Sequence, residues 1–316
     1  MKIRATQALF AIIVFTLALT ACAPAAAQTA TPQGIHGKLS RIEHGDNVAY
    51  ILGSMHAGRP EWFPLSPIVE DAMRRADAFV FEYDMSIDQG SLEMMLLVME
   101  HMFMPTGVTL ETLLPPDSYA NFVENIATFN WIDYSTASNM HPMAIAQVVT
   151  YEVLSELDVS TEYSVDMYVY NFAAEHGLPV SGLNSIESEL TIVFNMSDDV
   201  KIAMMEDFPS KAEMLEEGEE LALADAYESN NLEGLLHMLQ QSYIDADSPA
   251  VRFMQDTLMH KRCVIFADEI ERLMLETEEP TTFFITVGLA HIIGGEAGKV
   301  LYILEDRGFE VTGLYH

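Results

Sequence analysis

The stretch Val48-Ala49-Tyr50-Ile51-Leu52-Gly53-Ser54-Met55-His56 places a histidine three residues after the glycine that ends an apolar run. Near the other end of the chain, Thr281-Thr282-Phe283-Phe284-Ile285-Thr286-Val287-Gly288-Leu289-Ala290-His291 has the same form. Short runs of β-branched and aromatic residues bounded by glycine predict buried strands. Open α/β sheets build their sites at the carboxyl ends of their strands. We therefore predict that His56 and His291 are two halves of one site; the alternative is that two ordinary strand–turn units happen to share the motif.

The residues after each motif also match. A helical pattern over 65–76 and an apolar run over 78–83 follow His56, and the same pair of signals follows His291 over 296–307 and 309–314. Between these units the apolar spacing is mostly helical, with one short strand predicted over 178–183. The sequence thus predicts an α/β protein. Its mixed sheet is built from N- and C-terminal strand–Gly-x-x-His–helix–strand units of βαβ type, with a large helical insert between them.

An acidic residue, Glu82, ends the apolar run that follows the first motif. Because a lone buried carboxylate is costly, Glu82 must reach solvent, a partner or a metal. Together with His56 and His291 it forms a two-histidine, one-carboxylate set, which suits zinc, manganese, cobalt or iron and leaves positions for water. The alternative for Glu82 is a structural ion pair with an arginine.

The N-terminus predicts export and a lipid anchor. Lys2 and Arg4 precede an apolar run over 8–19 that is too short to span a bilayer, and the run leads into Leu19-Thr20-Ala21-Cys22. This ending resembles a bacterial lipoprotein signal, so we expect a signal peptide over 1–22 and lipidation of Cys22. We further expect a flexible tether over 23–35, a globular domain over 36–316, and an extracytoplasmic, membrane-anchored protein. The alternative is an ordinary secretory peptide that is cleaved near 25–27.

Composition limits the partners of the chain. The net charge is −33 with only 15 Lys and Arg residues, which argues against nucleic-acid binding and against docking on anionic lipid through the protein surface. Contact with a membrane is therefore expected only through the lipid anchor. The second of the two cysteines, Cys263, has no disulfide partner if Cys22 is lipidated. It lies in an amphipathic pattern, which favours a buried, inert thiol over a nucleophile.

Several stretches together resemble the TraB/GumN family. The opening Leu52-Gly53-Ser54-Met55-His56, the run that ends in Phe81-Glu82-Tyr83-Asp84, and the closing Val287-Gly288-Leu289-Ala290-His291 all match in order and context. In the middle, Val165-Asp166-Met167 and Gly177-Leu178-Pro179-Val180-Ser181-Gly182-Leu183 match as well. The resemblance covers about residues 36–316. It links the chain to Tiki-type metal-dependent proteases and to erythromycin-esterase and ChaN-like folds.

The resemblance implies roles for particular residues. His56, Glu82 and His291 would hold a divalent ion (Mn, Co or Zn), with Glu82 also catalytic. Asp166 matches the acid of the family's Val-Asp pair and would orient a histidine or act as a base. Arg262 matches a late arginine and would offset oxyanion charge. The chain also departs from the family pattern, because Asn184 stands where an acid is usual, Cys263 stands where an asparagine is usual, and Glu189 corresponds to a glutamine.

Two functions follow as expectations. One is a cell-surface, metal-dependent hydrolase that cleaves peptides or proteins, in which the metal would lower the pKa of bound water and polarise the scissile carbonyl. The other is a lipoprotein that binds and sequesters a peptide or haem without turnover. The departures from the family pattern bear on catalytic competence, and Asn184 in particular leaves a third alternative, a scaffold lipoprotein whose site has decayed.

Overall fold

A computed structural model describes residues 34, 37–86, 91–241, 247–293 and 299–314. The predicted signal peptide, Cys22 and nearly all of the predicted tether lie outside these residues. Within them the strands are β1 Lys38–His44, β2 Asn47–Ser54, β3 Ala78–Tyr83, β4 Val180–Asn184, β5 Thr282–Gly288 and β6 Val311–Gly313. They form one mixed sheet in the order β4-β3-β5-β2-β1-β6. The predicted α/β class is confirmed.

The centre of the sheet joins the two ends of the chain. Strand β5 lies between β2 and β3 and runs parallel to both. The register sets Ser54, the last residue of β2, opposite Gly288, the last residue of β5. The carboxyl ends of β2, β5 and β3 therefore meet at one edge, and this edge carries both Gly-x-x-His motifs and Glu82.

The sheet differs from the sequence prediction in two respects. Strand β1 was not predicted, and it pairs antiparallel with both β2 and β6. In neither predicted βαβ unit are the two strands neighbours, since β5 separates β2 from β3, and β2 and β1 separate β5 from β6. The reason is that each strand pairs across long stretches of sequence, and local patterns do not reveal such pairing.

Between β3 and β5 the described elements are helices apart from β4, and residues 91–261 without β4 are called the helical insert below. Many of its helices begin at a serine whose hydroxyl accepts from a backbone N–H of the first turn, as at Ser91, Ser164 and Ser185. The described helices are α1 Pro67–Arg75, α2 Leu92–Met102, α3 Leu110–Leu113, α4 Pro116–Ile126, α5 Tyr134–Ala137, α6 Pro142–Glu156, α7 Val165–Glu175, α8 Ile186–Phe194, α9 Asp198–Met205, α10 Lys211–Glu217, α11 Glu219–Glu228, α12 Leu232–Gln241, α13 Pro249–Phe253, α14 Arg262–Glu276 and α15 Val300–Asp306. A π-helix, Met254–Lys261, connects α13 to α14. Single-turn 3₁₀ segments lie at Pro60–Trp62, Thr161–Tyr163 and Leu289–His291.

Each face of the sheet has its own core. Alternation along β3 sends Phe79 and Phe81 into the larger core, beneath the helical insert. Val80 faces the opposite way, into a smaller core that includes Phe266 of α14 and Leu304 of α15. Glu82 is two residues beyond Val80, so strand geometry directs it towards the α14 side. In the part of the chain that the structure describes, no helix is both long and apolar enough to cross a bilayer.

Candidate functional site

His56 is held by a buried carboxylate. Its Nδ1–H donates to Asp166 Oδ2 over 2.9 Å, and Ser54 Oγ donates to the other oxygen of Asp166, also over 2.9 Å. Asp166 lies in the first turn of α7, which Ser164 caps. The His56 side chain is 20% exposed and that of Asp166 is 8% exposed. The pair therefore fixes the ring of His56 and leaves its Nε2 as the nitrogen available to a substrate or water.

Charge pairing sets the protonation of these two groups. Burial disfavours the imidazolium of His56, but the Asp166 carboxylate outweighs burial and raises the pKa of His56 to about 9. For Asp166 the balance has the opposite sign: burial raises its pKa, but His56 and the Ser54 hydroxyl bring the net pKa below its usual value. The His56–Asp166 pair is thus an ion pair at neutral pH, and neutral His56 becomes the major form only above about pH 9.

Glu82 is bonded through both of its oxygens. Oε1 accepts from the backbone N–H of Gly288 over 2.7 Å, and Oε2 accepts from Arg262 Nη2 over 2.6 Å. The side chains of Glu82 and Arg262 are each 5% exposed. Burial would raise the pKa of Glu82, but Arg262, with charged His56 and the Gly288 N–H, lowers it below its usual value. The ion pair that the sequence offered as the alternative for Glu82 is therefore present.

A second buried acid shares the same guanidinium. Glu189, on α8, contacts Arg262 Nε through Oε1, and its other oxygen accepts from Asn184 Nδ2 over 2.9 Å. The Glu189 side chain has no exposed surface. Burial raises its pKa, against the opposing effect of Arg262. Arg262 is therefore held between two carboxylates, and Asn184 belongs to this cluster through its amide.

The ring of His291 is fixed from both sides. Arg262 Nη1 lies 3.1 Å from Nε2, and Cys263 Sγ lies 3.2 Å from Nδ1. Burial, reinforced by the charge of Arg262, lowers the pKa of His291 well below its usual value, so the ring is neutral. A guanidinium can only donate, so Nε2 must accept, and the single proton lies on Nδ1 and points at the sulfur. Cys263 is fully buried, as predicted, and burial raises the pKa of its thiol to about 11.

The absence of a side chain at Gly288 leaves a small space among these groups. A Cβ placed on Gly288 would lie 3.0 Å from Glu82 Oε1 and 3.0 Å from His56 Nε2. His291 Nε2 is 3.9 Å from Glu82 Oε1. The structure therefore brings His56, Glu82 and His291 together at one edge of the sheet. It also adds Asp166 and Arg262, the other two residues that the sequence assigned to the site.

The donor set only partly matches a metal centre. Two imidazoles and a carboxylate are suitable ligands by type. In this arrangement, however, Glu82 Oε2 and His291 Nε2 both face the guanidinium of Arg262, which is a cation and cannot be a ligand. Among the described ranges no group of three or more His, Cys, Asp and Glu side chains is placed to hold a metal ion. The residues as placed thus do not fit the predicted divalent ion, and its presence stays a prediction.

Sequence reasoning missed two of the polar partners. Ser54 is the second residue of the first Gly-x-x-His motif, and its hydroxyl donates to Asp166. Glu189 was noted only as a departure from a family pattern, yet it is the second acid on Arg262. A signal for Glu189 existed, since it lies one helical turn after Ser185 in a helix whose other inward residues are apolar. An acid at such a position needs a buried cationic partner.

Comparison with known proteins gives one family. A family model described as the TraB/PrgY/gumN family matches residues 39–313. The uncharacterized protein YbaP of Shigella flexneri is 22% identical over 254 residues, which is 79% of this chain and 86% of that protein. YbaP of Escherichia coli strain K12 matches with the same identity and coverage. No solved structure matches the chain.

Proposed function

The chain belongs to the TraB/PrgY/gumN family, and we propose that it is a hydrolase that cleaves peptide bonds at the carboxyl edge of its sheet, around His56. The observation that carries this proposal is the His56–Asp166 pair. A histidine that a buried carboxylate orients through Nδ1, and whose Nε2 has no hydrogen-bond partner among the described residues, has the arrangement of a general base once the ring is neutral. The free nitrogen faces the same space as Glu82 Oε1, beside Gly288.

The residues suggest a sequence of proton movements. Neutral His56 takes a proton from water through Nε2 as the water attacks the scissile carbonyl, and Asp166 stabilises the imidazolium that forms. The same Nε2–H then protonates the leaving amine. Arg262 borders the cavity next to His56, and its guanidinium would offset the charge that develops on the carbonyl oxygen.

A second candidate function is peptide binding without turnover. It is favoured by the ion pairs that Arg262 already makes with Glu82 and Glu189. An arginine neutralised in this way stabilises a developing oxyanion less than an unpaired one does. The two candidates differ in one measurable respect, because only a hydrolase releases new amino termini.

Hydrolysis of a peptide library by the purified domain tests the proposal. We expect turnover that increases with pH up to about 9, because the base must be neutral and that is the pKa of His56. His56→Gln should reduce kcat/KM by roughly 10³-fold or more, in the range seen when a catalytic base is removed. Ser135→Ala, on the exposed part of the insert, serves as the control.

Two further measurements on the same samples decide the remaining questions. Peptides that bind but yield no new amino termini, in wild type and His56→Gln alike, would contradict the hydrolase and favour sequestration. Metal content measured before and after chelation, with add-back of Mn, Co or Zn, tests the predicted ion. Turnover that persists at a metal content far below one ion per chain would contradict a metal-dependent reaction.

We also propose that the protein is exported and held at a membrane by lipid on Cys22. The support is the apolar run that ends in Leu19-Thr20-Ala21-Cys22, outside the described residues. Cys22→Ser should move the protein out of the membrane fraction or leave it unprocessed, whereas Cys263→Ser should not. A processed Cys22→Ser protein that stays with membranes would contradict the anchor.

A further inference from the structure

A cavity of about 120 Å³ opens beside the His56–Asp166 pair. The sheet edge and α14 supply its polar wall through Ser54, His56, Arg262 and His291. Arg262 bonds His291, and Ser54 and His56 bond the same carboxylate. The polar groups are therefore gathered on the side of the cavity where the proposed reaction takes place.

The rest of the cavity wall is apolar. The 3₁₀ turn after β5 supplies Leu289 and Ala290. The helical insert supplies residues from several elements, which include Met143, Val159, Val193, Leu235 and Leu258. Among the described lining residues there is no carboxylate and no amine. A charged group that entered this part would lose its hydration without gaining a partner, which is costly. The cavity therefore selects for an uncharged, apolar group.

The volume limits the size of that group. An engineered cavity of about 150 Å³ holds a benzene molecule, so 120 Å³ suits an aliphatic chain of about four heavy atoms. Met143 and Met259 are part of the lining, and methionine side chains adapt to differently branched neighbours. The apolar part of the cavity should thus accept several aliphatic shapes and reject a charged group.

The position of the cavity relates the apolar group that it binds to the proposed reaction. His56 lines the cavity and also carries the free Nε2. A carbonyl attacked by a water on Nε2 lies within a few ångströms of that nitrogen. The side chain attached next to that carbonyl is the part of a peptide that can enter the cavity.

We propose that this cavity is the specificity pocket of the enzyme, and that it receives one uncharged aliphatic side chain, of leucine or methionine size, from the residue that adjoins the cleaved bond. The substrate class is therefore peptides that carry such a residue at the cleavage point. The inference rests on the proposed hydrolase function and adds to it the chemistry of the substrate.

A peptide series measures the preference directly. The residue before the cleaved bond is Gly, Ala, Val, Leu, Met, Asp or Lys, and the rest of the peptide is constant. Burying the additional methyl and methylene groups of leucine should raise kcat/KM by roughly 50-fold over alanine. The Asp and Lys peptides should be cleaved no faster than the Gly peptide. A series in which kcat/KM is the same for all seven peptides would overturn the proposal.

A matched pair of variants ties the preference to the cavity. Val193 and Val153 are both almost completely buried, but only Val193 lines the cavity. Val193→Phe should fill the pocket, lowering kcat/KM for the Leu peptide by at least roughly tenfold and for the Gly peptide by less than about threefold. Val153→Phe should change kcat/KM for the Leu and Gly peptides by the same factor. If Val193→Phe lowers kcat/KM for the Leu and Gly peptides equally, the pocket is contradicted. If Val193→Phe does not fold, Leu235→Ala takes its place, and this variant should also accept a peptide with Phe before the cleaved bond.

A binding measurement separates failure of the pocket from failure of the hydrolase. The melting temperatures of wild type and Val193→Phe are recorded with equal concentrations of three compounds. These are N-acetyl-leucinamide, N-acetyl-glycinamide and the α-amide of N-acetyl-aspartic acid, which keeps its side-chain carboxylate. Stabilisation by the leucine compound alone, lost in Val193→Phe, supports the pocket even if no peptide is cleaved. Cleavage that depends on His56 but shows no side-chain preference refutes the pocket and keeps the hydrolase. If neither binding nor cleavage is observed, both the pocket and the hydrolase are refuted.

Discussion

Replacing Arg262 with methionine should lower the free energy of unfolding by about 3–5 kcal/mol and abolish the proposed hydrolysis. The guanidinium is the cation between Glu82 and Glu189, and all three side chains are at most 5% exposed. Without it, two buried carboxylates lose the cation that is paired with both of them. His291 Nε2 also loses its donor. Urea unfolding measures the stability change.

Arg307 provides the control for that experiment. It too bridges two acids, Asp268 and Glu271, but its side chain is 26% exposed. Solvent screens such a pair, so Arg307→Met should cost at most about 1 kcal/mol. Equal losses in the two variants would mean that the buried cluster around Arg262 contributes no more than a surface ion pair.

Asn184→Asp should lower the free energy of unfolding at neutral pH by roughly 2–4 kcal/mol, because it places a carboxylate against Glu189 Oε2. The wild-type amide donates to that oxygen over 2.9 Å. Either the two acids repel each other or one of them takes up a proton, and both outcomes oppose folding at neutral pH. The pKa of the paired acids is then higher in the folded than in the unfolded chain. The missing stability should therefore return as the pH falls, and a deficit that is independent of pH would contradict this account.

The swap Asn184→Asp/Glu189→Gln tests the same contact by compensation. It restores an acid facing an amide, which is the arrangement that the family resemblance places at these two positions. We expect the double variant to recover more than half of the stability that Asn184→Asp loses, with a favourable coupling energy in the double-mutant cycle. Additive losses would show that the two side chains act independently. Recovery would also mean that the departures from the family pattern at Asn184 and Glu189 compensate for each other.

Local sequence patterns were sufficient for the strands that hold the site. The runs before Gly53 and Gly288 and the run that ends at Glu82 are β2, β5 and β3, because a buried parallel strand is a short apolar run with a polar residue where it leaves the sheet. From these ends alone, the meeting of His56, Glu82 and His291 could be anticipated. Asp166 and Arg262 came instead from the family resemblance, since neither lies at the end of a strand.

The contacts within the site could not be predicted from such patterns. Asp166 lies 110 residues from His56 in the sequence, and Glu82 lies 180 residues from Arg262. Nothing in the spacing of either pair fixes which acid meets which base. Likewise, β1 pairs with β6 near the opposite end of the chain, and only the assembled sheet determines that neighbour. Side-chain pairing across the fold therefore had to be observed.

The position of β5 has a consequence for biosynthesis. This strand is near the end of the chain, yet it is the one that joins β2 to β3. Until it has been made, a nascent chain would have two apolar strands with unpaired inner edges, and such edges invite aggregation. It would also lack His291, so the Gly288 space could not form. A chain released before β5 has been made would thus have neither the centre of its sheet nor the candidate site.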